Sequence, residues 1–310
     1  MADNVSQRAE VQAVLGRWRS YMARAELSQK AAARKLGCSA SVLSQVLAGK
    51  YPGNVARLLE EMVRVMRRAG KRARRPKRPA YRETPTSQRI QDAILDAHVE
   101  GVIVVILGRT GVGKTTAAQD YCTNEPTALY LIGGPKAGPG AVIKRLAGMI
   151  DLKVRGATWD LWQQVAAKLR GSHRVLIIDE VDYIPEDTLQ ILRLIRDESE
   201  IGLVVLGTPA YLIKLHSRRS ATIDQWLGRV AYTEILDGAT REDIVRIAEN
   251  LPLDEAAMDQ LVECAGGETR RAVHILIGMQ RQGDGYKPIH VRMAAAELMP
   301  NMETLRKRER

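Results

Sequence analysis

Gly108-Arg109-Thr110-Gly111-Val112-Gly113-Lys114-Thr115 follows directly on the apolar run Val102–Leu107. The spacing G-x-x-x-x-G-K-[ST], entered from a strand and left into a helix, is that of a phosphate-binding loop. Its glycines let backbone N–H groups turn inward around phosphates. A helix starting near Gly113 points the positive end of its dipole at the same place. Lys114 can reach β- and γ-phosphates, and the Thr115 hydroxyl can ligate Mg²⁺. Gly108, Thr110, Gly111, Val112, Gly113, Lys114, Thr115 and Thr116 are therefore the candidate nucleotide-binding residues.

A second motif answers the first. Val175-Leu176-Ile177-Ile178-Asp179-Glu180 is an apolar strand that ends in two acids. Asp179 at the strand's C-terminal end can hold Mg²⁺ through water, and Glu180 beside it can polarise an attacking water. The pair of motifs argues for ATP and Mg²⁺ as cofactors and for ATP hydrolysis as the reaction.

The chain has 310 residues, room for two or three domains, with 45% apolar and 27% charged residues. It contains no Phe and only 4% aromatic residues, so aliphatic residues and Ala must build the core. The longest uninterrupted apolar stretch falls far short of a membrane span, so no membrane partner is expected. Cys38, Cys122 and Cys264 are scattered without metal-like spacing, which suits a reducing cytosol.

The formal net charge is +11, and Arg64–Arg82 carries ten Lys/Arg and no acid. With Pro76 and Pro79 inside it, Ala69–Tyr81 reads as a flexible basic linker. Lys71, Arg72, Arg74, Arg75, Lys77 and Arg78 are its candidate contacts to a nucleic-acid backbone. The chain then divides into residues 1–66, a linker 67–83, a nucleotide-binding domain 84–237, and a helical part 238–310.

Before the linker, Val11, Val14, Leu15, Trp18 and Met22 share one face at helical spacing. Leu27–Lys50 then resembles the repressor-type helix-turn-helix family. Ala33 is small where two helices would cross, and Gly37 can take the left-handed conformation of the turn. Ser39 can cap the second helix and Gly49 can end it. Ser39, Ser41, Ser44 and Gln45 would lie on its exposed face as DNA contacts. None of them is an Arg or Asn set for bidentate base reading, so little sequence preference is expected. A protein-contact role for this motif stays open.

From residue 84 helices and strands alternate, which predicts an α/β domain with a parallel five-stranded sheet. Strands are expected at Val102–Leu107, Thr127–Ile132, Val175–Asp179, Leu203–Gly207 and Val230–Leu236. A short helix is expected after Pro209. The phosphate loop, Asp179/Glu180 and Thr208 all follow strand C-termini, where open α/β sheets bind ligands. After Asp237 the pattern is helical only, opening on a Thr240/Asp243 capping pattern.

A helical domain behind such a sheet resembles the AAA+ ATPase family, where it serves as a lid. That resemblance gives Thr208 the first sensor position and Arg270, in Gly267-Glu268-Thr269-Arg270, the second, with Arg271 as a rival. It places Arg229, just before the last strand, at the arginine-finger position, reaching a neighbouring subunit's γ-phosphate. Glu180, Thr208, Arg229 and Arg270 are then the catalytic set.

The domain order, Glu83-Thr84-Pro85-Thr86, Gly111-Val112-Gly113-Lys114-Thr115 and Ile177-Ile178-Asp179-Glu180 with Asp182 together resemble the transposition protein B family of phage Mu and its relatives. These are ATP-dependent target-DNA activators of DDE transposases. The resemblance implies helical self-assembly on double-stranded DNA, recruitment of a transposase, stimulation of strand transfer, and hydrolysis-driven disassembly. It implies a phage or prophage element in a bacterial cytoplasm. Lys136, Lys144, Arg145 and Arg155 become candidates to face DNA in a filament bore. A helicase loader or replication initiator, and an ATP-switched transcription regulator, are the rival readings.

Overall fold

The computed structural model describes residues 2–73, 76, 78–134, 138–156, 158–218, 221–283 and 285–298. They form two compact units that divide between residues 77 and 78.

The first unit is all-helical: α1 (Ala2–Arg24), α2 (Gln29–Leu36), α3 (Ala40–Leu47) and α4 (Ala56–Ala73). Leu15, Trp18, Ala32, Ala33, Leu36, Leu43, Val46 and Met62 make its core. The α2–α3 turn has the chemistry expected of it. Gly37 is left-handed at φ 68°, and Ser39 caps α3 by accepting from Val42 N–H at 3.2 Å. Ser28 caps α2 in the same way.

The expected flexible linker needs correction at both ends. α4 continues through residues 67–73, because Arg, Lys and Ala are strong helix formers that carry the helix across the single Gly70, and no proline occurs between Ala56 and Pro76. Arg78–Arg82, at the other end, line a cavity of the second unit. Among the expected basic contacts, Arg74, Arg75 and Lys77 lie outside the described residues, as do the side chains of Lys71 and Arg72.

The second unit holds one five-stranded sheet in the order β2-β3-β4-β1-β5: β1 (Ile103–Gly108), β2 (Ala128–Ile132), β3 (Val175–Asp179), β4 (Gly202–Gly207) and β5 (Val230–Leu236). All four pairings are parallel, and each strand lies within one residue of its expected bounds. β1, β3 and β4 are buried along their whole length. Their side chains alternate between two cores. Ile103, Val105 and Leu107 pack on one face with α7 (Pro139–Met149), α8 (Thr158–Leu169) and α9 (Glu186–Ser199). Val104 and Ile106 pack on the other with α5 (Pro85–Glu100) and α6 (Lys114–Asn124).

α5 begins where its sequence dictates. Thr84 and Ser87 form a reciprocal capping box and Pro85 takes the first helical turn, an arrangement that contributes about 1 kcal/mol. The single short helix expected after Pro209 is instead two helices, α10 (Pro209–Arg218) and α11 (Ala221–Leu227), with Ile223 and Trp226 buried in the same core as α9. Beyond β5 come α12 (Arg241–Ala248), α13 (Glu255–Ala265), α14 (Thr269–Gln282) and α15 (Pro288–Leu298), which enclose a separate core of Ile244, Leu261, Ile275, Leu276 and Val291. This is the expected α/β core with a helical lid.

Among the described residues no helix is long and apolar enough to cross a membrane.

Candidate functional site

A cavity of about 720 Å³ opens at the C-terminal edge of the sheet. Thr110–Thr116, Asp179, Glu180, Asp182 and Thr208 line it from the core; Ile247, Thr269, Arg270 and His274 line it from the lid. Arg78–Arg82 complete its wall.

The loop between β1 and α6 bends through Gly111 (φ 85°) and Gly113 (φ 113°), angles that strain any residue with a Cβ. Lys114 caps the loop from inside. Its Nζ donates to the carbonyls of Gly108 at 2.6 Å and Arg109 at 3.2 Å. Burial pushes the Lys114 ammonium below the ordinary lysine range; Asp179 and Asp182 pull it back up, and Arg270 pushes it down again. A phosphate would relieve the burial cost by pairing this charge.

The two sequence motifs meet directly. Thr115 Oγ1 donates to Asp179 Oδ2 at 2.6 Å. Glu180 N–H donates to Asp179 Oδ1 at 2.8 Å. Asp179 is buried, whereas Glu180 is exposed and has left-handed backbone at φ 54°, ψ 43°. A non-glycine residue held there costs about 1–2 kcal/mol, and such strain gathers at functional turns. Gly133 at the end of β2 permits the turn. Its N–H donates to Asp179 O at 2.7 Å, and a Cβ there would sit 2.5 Å from Glu180 O.

Two residues outside the expected catalytic and metal sets complete this edge. Tyr130 on β2 donates its phenol to Asp179 Oδ2 at 2.6 Å. Burial first, and then that carboxylate, hold Tyr130 protonated far above the usual tyrosine range. Asp182 accepts both the Thr208 hydroxyl and the Thr208 N–H. No local pattern marks either tie, because each spans two strands of the sheet.

The lid grips the phosphate loop at one atom. Gly111 O accepts from Thr269 Oγ1 at 2.7 Å and from Arg270 N–H at 3.1 Å. Arg270 lines the cavity; its neighbour Arg271 does not, and its Nε is buried without a partner among the described residues. Arg229 lies elsewhere, ahead of the first residue of β5, which pairs with the opening residue of β1, so it stands at the strand edge remote from the loop. Its Nε donates to Asp197 at 2.6 Å.

The residues fit a nucleotide with Mg²⁺: a glycine cradle no Cβ could enter without strain, a half-buried cation for phosphate, and a hydroxyl already turned to a buried carboxylate.

The expected DNA contacts divide. Ser39, Ser41, Ser44 and Gln45 are exposed, but the Ser39 and Ser41 hydroxyls bond each other at 2.9 Å. Lys144, Arg145 and Arg155 are exposed, with Arg145 tethered to Ile132 O at 3.0 Å. Arg78 is exposed at the cavity wall. Lys136 lies outside the described residues.

The AAA domain family matches residues 97–215, the stretch that carries the phosphate loop and its acidic partner. The Mu-like prophage FluMu DNA transposition protein B of Haemophilus influenzae is 26% identical over 82% of this chain and 92% of its own. The ATP-dependent target DNA activator B of Escherichia phage Mu is 28% identical over 74% and 75%. The chain is thus similar, over most of its length, to the Mu transposition B proteins. Among solved structures, the ORC2 protein of Aeropyrum pernix in its ADPNP-ADP complexes aligns over 68% of this chain and 67% of its own at TM-score 0.51 and 15% identity. That likeness speaks to the fold, which is that of an AAA+ ATPase with a helical lid.

Proposed function

We propose that this transposition B homologue is an ATPase that binds target DNA when charged with ATP and presents that DNA to a transposase. The observation that carries the reading is the Thr115–Asp179 hydrogen bond at 2.6 Å inside a cavity that also holds Lys114, Glu180, Thr208 and Arg270. The names of the relatives supply the destination, since the phage Mu protein is called an ATP-dependent target DNA activator.

In this reading the N–H groups of residues 110–116 and the Lys114 ammonium bind the phosphates. Thr115 and Asp179 would hold Mg²⁺, which when bound would neutralise phosphate charge. Glu180 takes the proton of the attacking water. Thr208, locked by Asp182, orients that water. Arg270 reports the nucleotide to the lid, and Arg229 acts on the pocket of a neighbouring copy, stabilising developing charge there. ATP binding and subunit contact are then one event. The protein assembles along duplex DNA with little sequence preference, and hydrolysis releases it.

The α2–α3 unit and the bases of Arg64–Arg82 supply a general, electrostatic hold on DNA. The test is duplex binding by wild type and Lys114→Ala, with and without a non-hydrolysable ATP analogue. ATP-dependent binding in the wild type alone supports the reading; equal binding in all four conditions removes the coupling.

A further inference from the structure

Three guanidinium groups share the carboxylate of Asp197. Arg193 donates to its Oδ2 at 3.0 Å, Arg196 to its Oδ1 at 3.2 Å, and Arg229 to its Oδ2 at 2.6 Å. Among the described residues none of the three has a second ion pair. Arg193 is buried, with its side chain 7% exposed, and its Nε is satisfied by Gln190 at 3.2 Å. Arg196 is anchored to the carbonyl of Gly101. Arg229 is the open member, its side chain 41% exposed. Its Nη1 donates to Gln225 O at 3.1 Å, while its Nη2 has no partner among the described residues.

Two consequences follow from elementary electrostatics and geometry. One carboxylate cannot neutralise three cations, so the cluster keeps an excess positive charge that an arriving anion would relieve. Bonds at Nε and Nη1 also fix the plane of the Arg229 guanidinium, leaving the Nη2 edge free. A side chain held at two donors loses less freedom when it binds than one that must first be ordered.

We propose that Asp197 is the positioning residue of Arg229, presenting its free edge to the triphosphate of a neighbouring copy while Arg193 and Arg196 hold Asp197 in place. This rests on the reading of Arg229 as a group acting in trans. Asp197 touches no nucleotide in its own cavity; it acts through Arg229, so its loss should be a defect of the donating face of a subunit, not of its pocket.

That placement gives a test that a merely structural residue would fail. Asp197→Asn keeps an acceptor and removes the charge. Its ATP turnover should fall roughly 10- to 100-fold, while ATP affinity per subunit stays unchanged. Mixed with Lys114→Ala it should recover turnover, because the Lys114 variant lends an intact Arg229 and Asp197 to a pocket that is itself intact. Mixed with Arg229→Ala it should not recover, because both variants are damaged on the same face. Arg193 would be left buried beside a neutral group, so folding is checked by thermal melting. The double variant Arg193→Met/Asp197→Asn, which removes the buried cation as well, provides a second route to the same loss.

Wild-type turnover in a folded Asp197→Asn or in the double variant overturns the proposal. So does recovery with Arg229→Ala instead of with Lys114→Ala. The underlying reading is tested separately by mixing Arg229→Ala with Lys114→Ala. Recovery in that mixture with no effect of Asp197 sinks only the positioning role. Absence of recovery, with mixed assemblies confirmed, sinks the trans reading and the proposal with it.

Discussion

Asp243, on the first lid helix, receives two hydrogen bonds from Thr86 at the start of the first core helix: its N–H at 2.9 Å and its hydroxyl at 2.6 Å. The same carboxylate accepts the N–H of Thr240 at 2.6 Å, so one fully buried group caps α5 and α12 together. Core and lid are thereby joined at a second point besides the Gly111 contact.

Asp243→Ala should lower stability by about 2–4 kcal/mol, because several buried donors lose their acceptor at once. Burial works against the Asp243 charge, yet bonds from Thr86, Thr240 and Thr84 outweigh it and hold the carboxyl below the ordinary aspartate range. With a folded pKa below the unfolded value of about 3.9, the stabilisation is fully present above that value. It is lost as pH falls through the folded pKa. Urea melts of wild type and Asp243→Asn should differ by a constant amount at neutral pH, and the gap should narrow under acid. A gap that widens in acid would mean the carboxylate is not the favoured form.

Lys114→Ala should lose nucleotide binding. Glu180→Gln should keep ATP bound and slow turnover by about 10²-fold or more, since only the proton acceptor is removed. Nucleotide binding and phosphate release, measured on both variants, decide the matter. Normal turnover in Glu180→Gln would take Glu180 out of the reaction.

Thr208→Val should reduce turnover with ATP affinity preserved, and Asp182→Ala should reproduce that split, because Thr208 is held by both its N–H and its hydroxyl on Asp182. If Asp182→Ala weakens ATP binding as much as turnover, Asp182 serves the pocket directly and not through Thr208.

The sequence shows the central strands plainly because buried parallel strands are continuous apolar runs, and Val175–Asp179 falls on its expected residues; the edge strand Val230–Leu236 does so too, although it is only partly apolar and partly buried. The phosphate loop and its acidic partner are local patterns and were legible for the same reason. What was not legible is long-range. Thr86 and Asp243 are 157 positions apart, Arg229 and Asp197 are 32 apart, and no periodicity links them. Ala69–Tyr81 misled for a different reason. Charge and proline suggest a tether, but helix propensity carries α4 to Ala73, and packing at the nucleotide cavity claims Arg78–Arg82.

DNA affinity should fall steeply with salt and depend little on sequence. Neutralising bases within Arg64–Arg82 should flatten the slope of log affinity against log salt, by about 0.9 for every phosphate left unpaired. An unchanged slope would move the DNA-binding bases to the exposed surface of the core, to Lys144, Arg145 and Arg155.

The most direct measurement is strand transfer by the cognate transposase into DNA preincubated with this protein and ATP. The account predicts that wild-type protein directs transfer into the DNA it covers, that Lys114→Ala does not, and that added transposase raises ATP turnover on DNA. Transfer that is indifferent to an ATP-hydrolysing wild-type protein, with turnover unmoved by the transposase, would contradict it.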